Sequence, residues 1–112
     1  MSRFEFQTKV AGQVAFITLS GELDLHAAVG LELELERLHG EPNVDVVALD
    51  LRGLFYLDSS GLRTILVARN QLVDDDRRMV LVRGERAVQR VFEITRVTER
   101  LEFVDAPEHV MQ

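Results

Sequence analysis

Apolar and polar positions along this chain follow two periods, and the places where one gives way to the other mark the elements. Phe4-Glu5-Phe6-Gln7 alternates, and Val14-Ala15-Phe16-Ile17-Thr18-Leu19 is a β-rich run. With Gly12 between them the pair predicts an antiparallel hairpin. Ser20-Gly21-Glu22-Leu23-Asp24 interrupts the pattern, and Asp24 reads as the N-cap of the next element. Residues 25–39 carry both periods. Leu31-Glu32-Leu33-Glu34-Leu35 alternates like a strand, but Ala28, Leu31, Leu35 and Leu38 hold one helical face for three turns. The helical period outlasts the alternation, and Ala, Leu and Glu are strong helix formers, so the segment predicts a helix. Gly40 is its C-cap and Pro42 its stop.

Val44 to Leu51 has few polar positions, as expected of a strand covered on both faces. Asp50-Leu51-Arg52-Gly53 predicts a turn, after which Leu54-Phe55-Tyr56-Leu57 leads into Asp58-Ser59-Ser60-Gly61. A helix is expected from Leu62, with Leu62, Ile65, Leu66, Leu72 and Val73 facing inward and Asp74-Asp75-Asp76 ending it. Met79 to Val82 predicts a buried strand, Arg86 to Phe92 a short helix, and Leu101 to Val104 a last strand. Strands alternating with helices of this length imply right-handed crossovers and a largely parallel sheet. The expected fold is therefore α/β: a single domain over residues 1–112, with a small mixed sheet packed against three to four helices.

Composition narrows the function classes. A chain of 112 residues has room for one core, and 46% hydrophobic with 29% charged residues excludes a disordered or low-complexity chain. The absence of cysteine removes disulfide scaffolds, thiolate metal sites and thiol nucleophiles. The longest apolar runs, such as Ile65-Leu66-Val67-Ala68, are four residues, far short of the roughly 20 that a bilayer span needs. Met1 to Val10 carries Arg3, Glu5 and Lys9 and lacks a signal peptide's apolar stretch, so a cytoplasmic location is expected, with no membrane partner. A net charge of −6 argues against nucleic acid as a direct partner. Arg77, Arg78, Arg83, Arg86, Arg90, Arg96 and Arg100, against only Glu85, Glu93 and Glu99, make residues 77–100 locally basic, which reads first as a solvated surface and second as a docking face for an acidic protein.

The chemistry concentrates in Leu57-Asp58-Ser59-Ser60-Gly61-Leu62, where a buried strand ends and a helix begins. Asp or Ser there serves as an ordinary N-cap. One cap needs one polar residue, however, and three precede the glycine. A hydroxyl at a helix N-terminus can also take a phosphate without disturbing the fold, because free N–H groups and the helix dipole favour an anion there. Asp24, His26 and Ser59 are the residue types of a hydrolytic triad, but no G-x-S-x-G elbow is present, and Asp24-x-His26 is more simply a cap and a solvated imidazole. His26, His39 and His109 lack metal-ligand spacing, and no glycine-rich phosphate loop occurs. The sequence therefore points to a binding module that is not an enzyme and holds no cofactor.

Gly21-Glu22-Leu23-Asp24 after an early strand, followed about 35 residues later by Leu57-Asp58-Ser59-Ser60-Gly61-Leu62, resembles the STAS domain, and more narrowly the single-domain anti-sigma factor antagonists of bacterial sporulation and stress signalling. The resemblance runs from Phe4 to about Val104. It implies a phosphorylation-controlled partner switch. The unphosphorylated antagonist binds an anti-sigma factor that is also a serine kinase and so frees the sigma factor; the phosphorylated form does not bind. A metal-dependent serine phosphatase resets the switch, and ATP and magnesium belong to the kinase. By this resemblance Ser59 is the phosphoacceptor, Asp58, Ser60 and Gly61 its surroundings, and Asp24 the acidic loop residue close to it. Two stretches depart from the family pattern: the aperiodic end Ala106 to Gln112, where a further helix is usual, and the charged turn Asp74 to Arg78. The alternative within the family is a non-switching STAS subunit of a lipid-transport or signalling assembly, in which Ser59 never receives phosphate.

Overall fold

The computed structural model describes residues 3–111; Met1, Ser2 and Gln112, the ends of the expected 1–112 domain, lie outside the described residues. Strands β1 (Phe4–Ala11) and β2 (Val14–Leu23) form the hairpin, followed by α1 (Leu25–His39), β3 (Val46–Leu57), α2 (Ser59–Asp74), β4 (Arg78–Val82), α3 (Arg86–Ile94) and β5 (Glu102–Val104). The sheet order is β1-β2-β3-β4-β5, antiparallel only between β1 and β2. Each parallel strand is added on the same side of the last. Right-handed crossovers then deliver every helix to the same face. The buried residues of all three helices accordingly join one core with Ile17, Leu19, Leu49, Leu51 and Leu81.

Three boundaries differ from the sequence reading. β2 continues through Ser20-Gly21-Glu22 to Leu23, β3 continues through Asp50-Leu51-Arg52-Gly53 without turning, and α2 begins at Ser59 rather than Leu62. The pairing of β2 with β3 shifts register between Thr18 and Ser20 and again between Gly21 and Glu22. Such bulges insert extra residues into β3, so its alternation slips while the ladder carries on. The polar residues that suggested a turn belong to the first bulge. Arg52 donates from its backbone N–H to the Asp50 carboxylate at 3.1 Å and from Nε and Nη2 at 2.9 and 2.8 Å. Gly53 is required there: a Cβ would sit 2.6 Å from the Leu19 carbonyl oxygen. Val73, expected inward, is exposed near the C-terminal end of α2.

Among the described residues, no α-helix covers the second face of the sheet. Val14, Val46, Ala48, Val80 and Val82 on that face pack with Val110, which the 3-10 turn Pro107–His109 delivers. The aperiodic end is thus what covers these strands. Asp50, the buried charged residue of this face, is pushed up by burial, but hydrogen bonds from Arg52 outweigh that and hold its carboxyl below the usual carboxylate range. A carboxyl whose pKa is lower folded than unfolded adds stability above the unfolded value and loses it as pH falls through the folded one. Arg52→Leu is expected to move the acid-unfolding midpoint to higher pH, read by circular dichroism. An unchanged midpoint would show that the pair adds nothing.

The arginines divide by role. Arg77 donates to the carbonyls of His39 at 2.7 Å, Val44 at 3.1 Å and Glu41 at 3.3 Å, closing the C-terminal end of α1. Arg78 pairs with Glu102 and Arg83 with Asp105, tying β4 to the β5 segment. These three are engaged within the fold, Arg77 most deeply.

Candidate functional site

The parallel crossovers bring the N-termini of α1 and α2 side by side at one end of the sheet, because each helix follows a strand and β2 and β3 are neighbours. Each start carries an aspartate. Asp24 is the N-cap of α1, its Oδ1 accepting from the Ala27 N–H at 2.9 Å. Asp58 is the N-cap of α2, its Oδ1 accepting from the N–H groups of Ser60 and Gly61, both at 3.0 Å. The other oxygen of Asp58 crosses to the neighbouring helix and accepts from the Leu25 N–H at 3.2 Å. One carboxylate thus serves the free donors of two helices. The Asp58 N–H in turn donates to the Leu23 carbonyl at 3.3 Å. Asp24, Asp58, Leu25, His26 and Val29 border one shallow depression.

Asp58 performs the capping, and this leaves Ser59 free of it. Ser59 is the first residue of α2, exposed, and its hydroxyl makes no hydrogen bond among the described residues. Ser60 is half-buried and lines the groove between α1 and α2. Gly61 is buried, and its part is steric. A Cβ there would meet Leu23 Cγ and Leu57 Cδ1 at 2.7 Å and the Leu23 carbonyl oxygen at 2.8 Å. Only hydrogen lets the first turn of α2 sit this low against the strand ends. Gly61→Ala is expected to destabilise the protein by about 1–3 kcal/mol through overpacking, measured by urea unfolding; wild-type stability would mean that the helix start can lift freely.

The sequence reading missed the apolar part of this surface. Leu25, Val29 and Leu33 form an exposed stripe along α1, and Val67 is exposed across the groove on α2. Arg63, one turn beyond Ser59, lines the same groove. The i, i+4 spacing of Leu25, Val29 and Leu33 was legible, but their exposure depends on which face of α1 the sheet takes. No hydrogen bond joins His26 to Ser59 among the described residues, and His39 instead meets Asp75 at 2.6 Å. The described residues contain no group of three metal-ligating side chains, and none of their helices is long and apolar enough to cross a membrane.

Helices on one face of a mixed five-stranded sheet, with an exposed serine hydroxyl that makes no hydrogen bond among the described residues where two helix starts meet, define an open-faced α/β module. The chain belongs to the STAS domain family, whose model matches residues 5–108. Among solved structures, an anti-sigma factor antagonist from Mycobacterium paratuberculosis superposes with a TM-score of 0.89 at 17% identity, covering 97% of this chain and 92% of that one. The anti-sigma factor antagonist SpoIIAA in its unphosphorylated form gives 0.83 at 23% identity, covering 96% and 93%. The Bacillus cell fate determinant SpoIIAA in its phosphorylated form gives 0.76 at 22% identity, covering 96% of each chain. At these identities the likeness is one of fold.

Proposed function

We propose that this chain, residues 1–112 as one STAS domain, is an anti-sigma factor antagonist switched by phosphorylation of Ser59. Unphosphorylated, it binds a kinase-type anti-sigma factor and releases the sigma factor; that kinase inactivates it with ATP, and a metal-dependent serine phosphatase restores it. The chain itself catalyses nothing in this cycle and works in the cytoplasm. One observation carries the reading: Asp58 accepts from the α2 N-terminus, so the exposed Ser59 hydroxyl can take a phosphate without breaking a hydrogen bond among the described residues. The SpoIIAA fold, solved in both phosphorylated and unphosphorylated forms, supports it. The exposed Leu25 and Val29 beside the serine supply the apolar area that a partner would cover.

Site-resolved mass spectrometry of the protein recovered from its own cells tests the reading. Phosphate is expected on Ser59, with Ser60 and Thr64 unmodified, since both are half-buried along the helix groove. Phosphate on Ser60 or Thr64 instead would overturn the residue assignment. Its complete absence, under conditions in which the kinase is active, would favour the non-switching subunit.

Asp24 separates the structural from the switching role. Asn caps about as well as Asp, so Asp24→Asn is expected to keep its melting temperature while its phosphorylation by the kinase slows. Unchanged phosphorylation kinetics would reduce Asp24 to a cap.

A further inference from the structure

The two edges of the sheet are built differently. At one edge β5 is three residues long, is tied to β4 by the Arg78–Glu102 and Arg83–Asp105 pairs, and is followed by Pro107. That edge is blunted in the usual ways. At the other, β1 runs eight residues, Phe4-Glu5-Phe6-Gln7-Thr8-Lys9-Val10-Ala11, paired to β2 residue for residue without a bulge and without proline. Among the described residues, no strand pairs with its far side. Phe6 and Val10 are exposed there, and neither Glu5 nor Lys9, the only lysine in the chain, makes an ion pair among the described residues.

The polarity of the strand decides what can pair with it. The Arg3 carbonyl accepts from the Glu22 N–H at 2.7 Å, so the backbone groups of odd-numbered residues turn toward β2. Those of Phe4, Phe6, Thr8 and Val10 therefore turn outward. In an antiparallel pair, residues that exchange hydrogen bonds alternate with residues that do not. Two copies of β1 laid antiparallel about a two-fold axis through Gln7 satisfy this rule. Phe4 meets the partner's Val10 and Phe6 the partner's Thr8 as hydrogen-bonded pairs, all on the helix face. Glu5 meets the partner's Lys9, and Lys9 the partner's Glu5, as non-hydrogen-bonded pairs on the second face. The same axis that pairs the apolar residues pairs the opposite charges, twice.

We propose that β1 is a self-association edge, through which two copies of this chain form a continuous ten-stranded sheet with Gln7 on the two-fold axis. A strand-to-strand contact of this size lies at the small end of protein interfaces, so the dimer forms at high protein concentration and dissociates on dilution.

Cysteine cross-linking reads the register directly, because the chain has no cysteine of its own. At the axis a residue faces its own copy at about 4.5 Å between Cα atoms, within the disulfide range. Glu5 and its own copy stand roughly 14 Å apart along the strands, as do the two copies of Lys9. Gln7→Cys is expected to give a disulfide-linked dimer on mild oxidation. Glu5→Cys and Lys9→Cys are expected to stay monomeric when oxidised singly and to cross-link to each other when mixed. No dimer from Gln7→Cys, or equal cross-linking by all three single variants, overturns the proposal. Sedimentation equilibrium supplies a readout without cysteine. Glu5→Lys and Lys9→Glu are each expected to weaken dimerisation roughly 10-fold, since two opposite-charge pairs become like-charge pairs. The double exchange of Glu5→Lys with Lys9→Glu is expected to restore it. A monomer at every concentration, or a dimer indifferent to all three changes, overturns the proposal equally.

Discussion

Ser59→Asp and Ser59→Glu are expected to melt close to the wild-type temperature and to bind the anti-sigma kinase roughly 30- to 150-fold more weakly. The two halves of that expectation have separate causes. The fold is indifferent because Ser59 makes no hydrogen bond among the described residues and sits at the N-terminal end of α2, where the helix dipole favours an anion. Binding suffers because the new charge lies exposed on the surface that the partner is proposed to cover, so that a facing group of the partner loses its contact or meets a like charge. A phosphate would bring about −1.5 to −2 charge. A partner group carrying a unit negative charge roughly 5–6 Å from the new one, at an effective dielectric near 20, is repelled by about 3 kcal/mol. Some 2–3 kcal/mol of this appearing at the partner surface gives the stated loss of affinity. Ser59→Ala is expected to bind like wild type and to remain permanently active, because Asp58 retains the cap. Titration calorimetry and thermal melts on the three variants decide the matter. Equal affinity across Ala, Asp and Glu would remove Ser59 from the switch.

The largest expected effect on stability belongs to Asp58. Asp58→Ala takes the acceptor from three backbone donors at once: Ser60 and Gly61 in α2 and Leu25 in α1. Loss of a cap and of a charged acceptor together is expected to remove about 2–3 kcal/mol. For a chain of this length that lowers the melting temperature by roughly 8–15 °C. Asp58→Asn keeps one carbonyl oxygen for the α2 donors and turns an amide group toward Leu25, so it should fall between the two. Amide exchange distinguishes this bridge from a simple cap. Protection is expected to drop at the Leu25 N–H in Asp58→Ala, while the Ala27 N–H, held by Asp24, keeps its own. Unchanged exchange at Leu25 would mean that Asp58 serves α2 alone.

The boundaries that the sequence made plain rest on local chemistry. α1 runs from its Asp24 cap to Gly40 as its periodicity and capping residues predict, because three turns of consistent facing outweigh five residues of alternation. The hairpin about Gly12, the largely parallel character of the sheet, and Asp58-Ser59-Ser60-Gly61 as a strand-to-helix junction were legible for similar reasons. Each depends on residues close together in the chain. The bulged course of β3 was not legible. An extra residue in a ladder and a turn have the same composition, and only the neighbouring β2 decides that the strand goes on.

The site divides in the same way. By itself the sequence placed an aspartate and serines at the start of a helix, and a second aspartate about 35 residues earlier at the start of another. It could not show which hydroxyl was free. That depended on Asp58 taking the two α2 donors and then reaching Leu25, a contact between residues 33 positions apart that exists only because β2 and β3 are sheet neighbours. Gly61 read as part of the motif, and its reason, the 2.7 Å approach of Leu23 and Leu57, comes from how deeply α2 seats on the sheet. The exposed stripe Leu25-Val29-Leu33 and the seating of Val110 on the second face were likewise decided by tertiary packing. A pattern of apolar residues states that a face exists, and only the assembled layers settle which faces are covered.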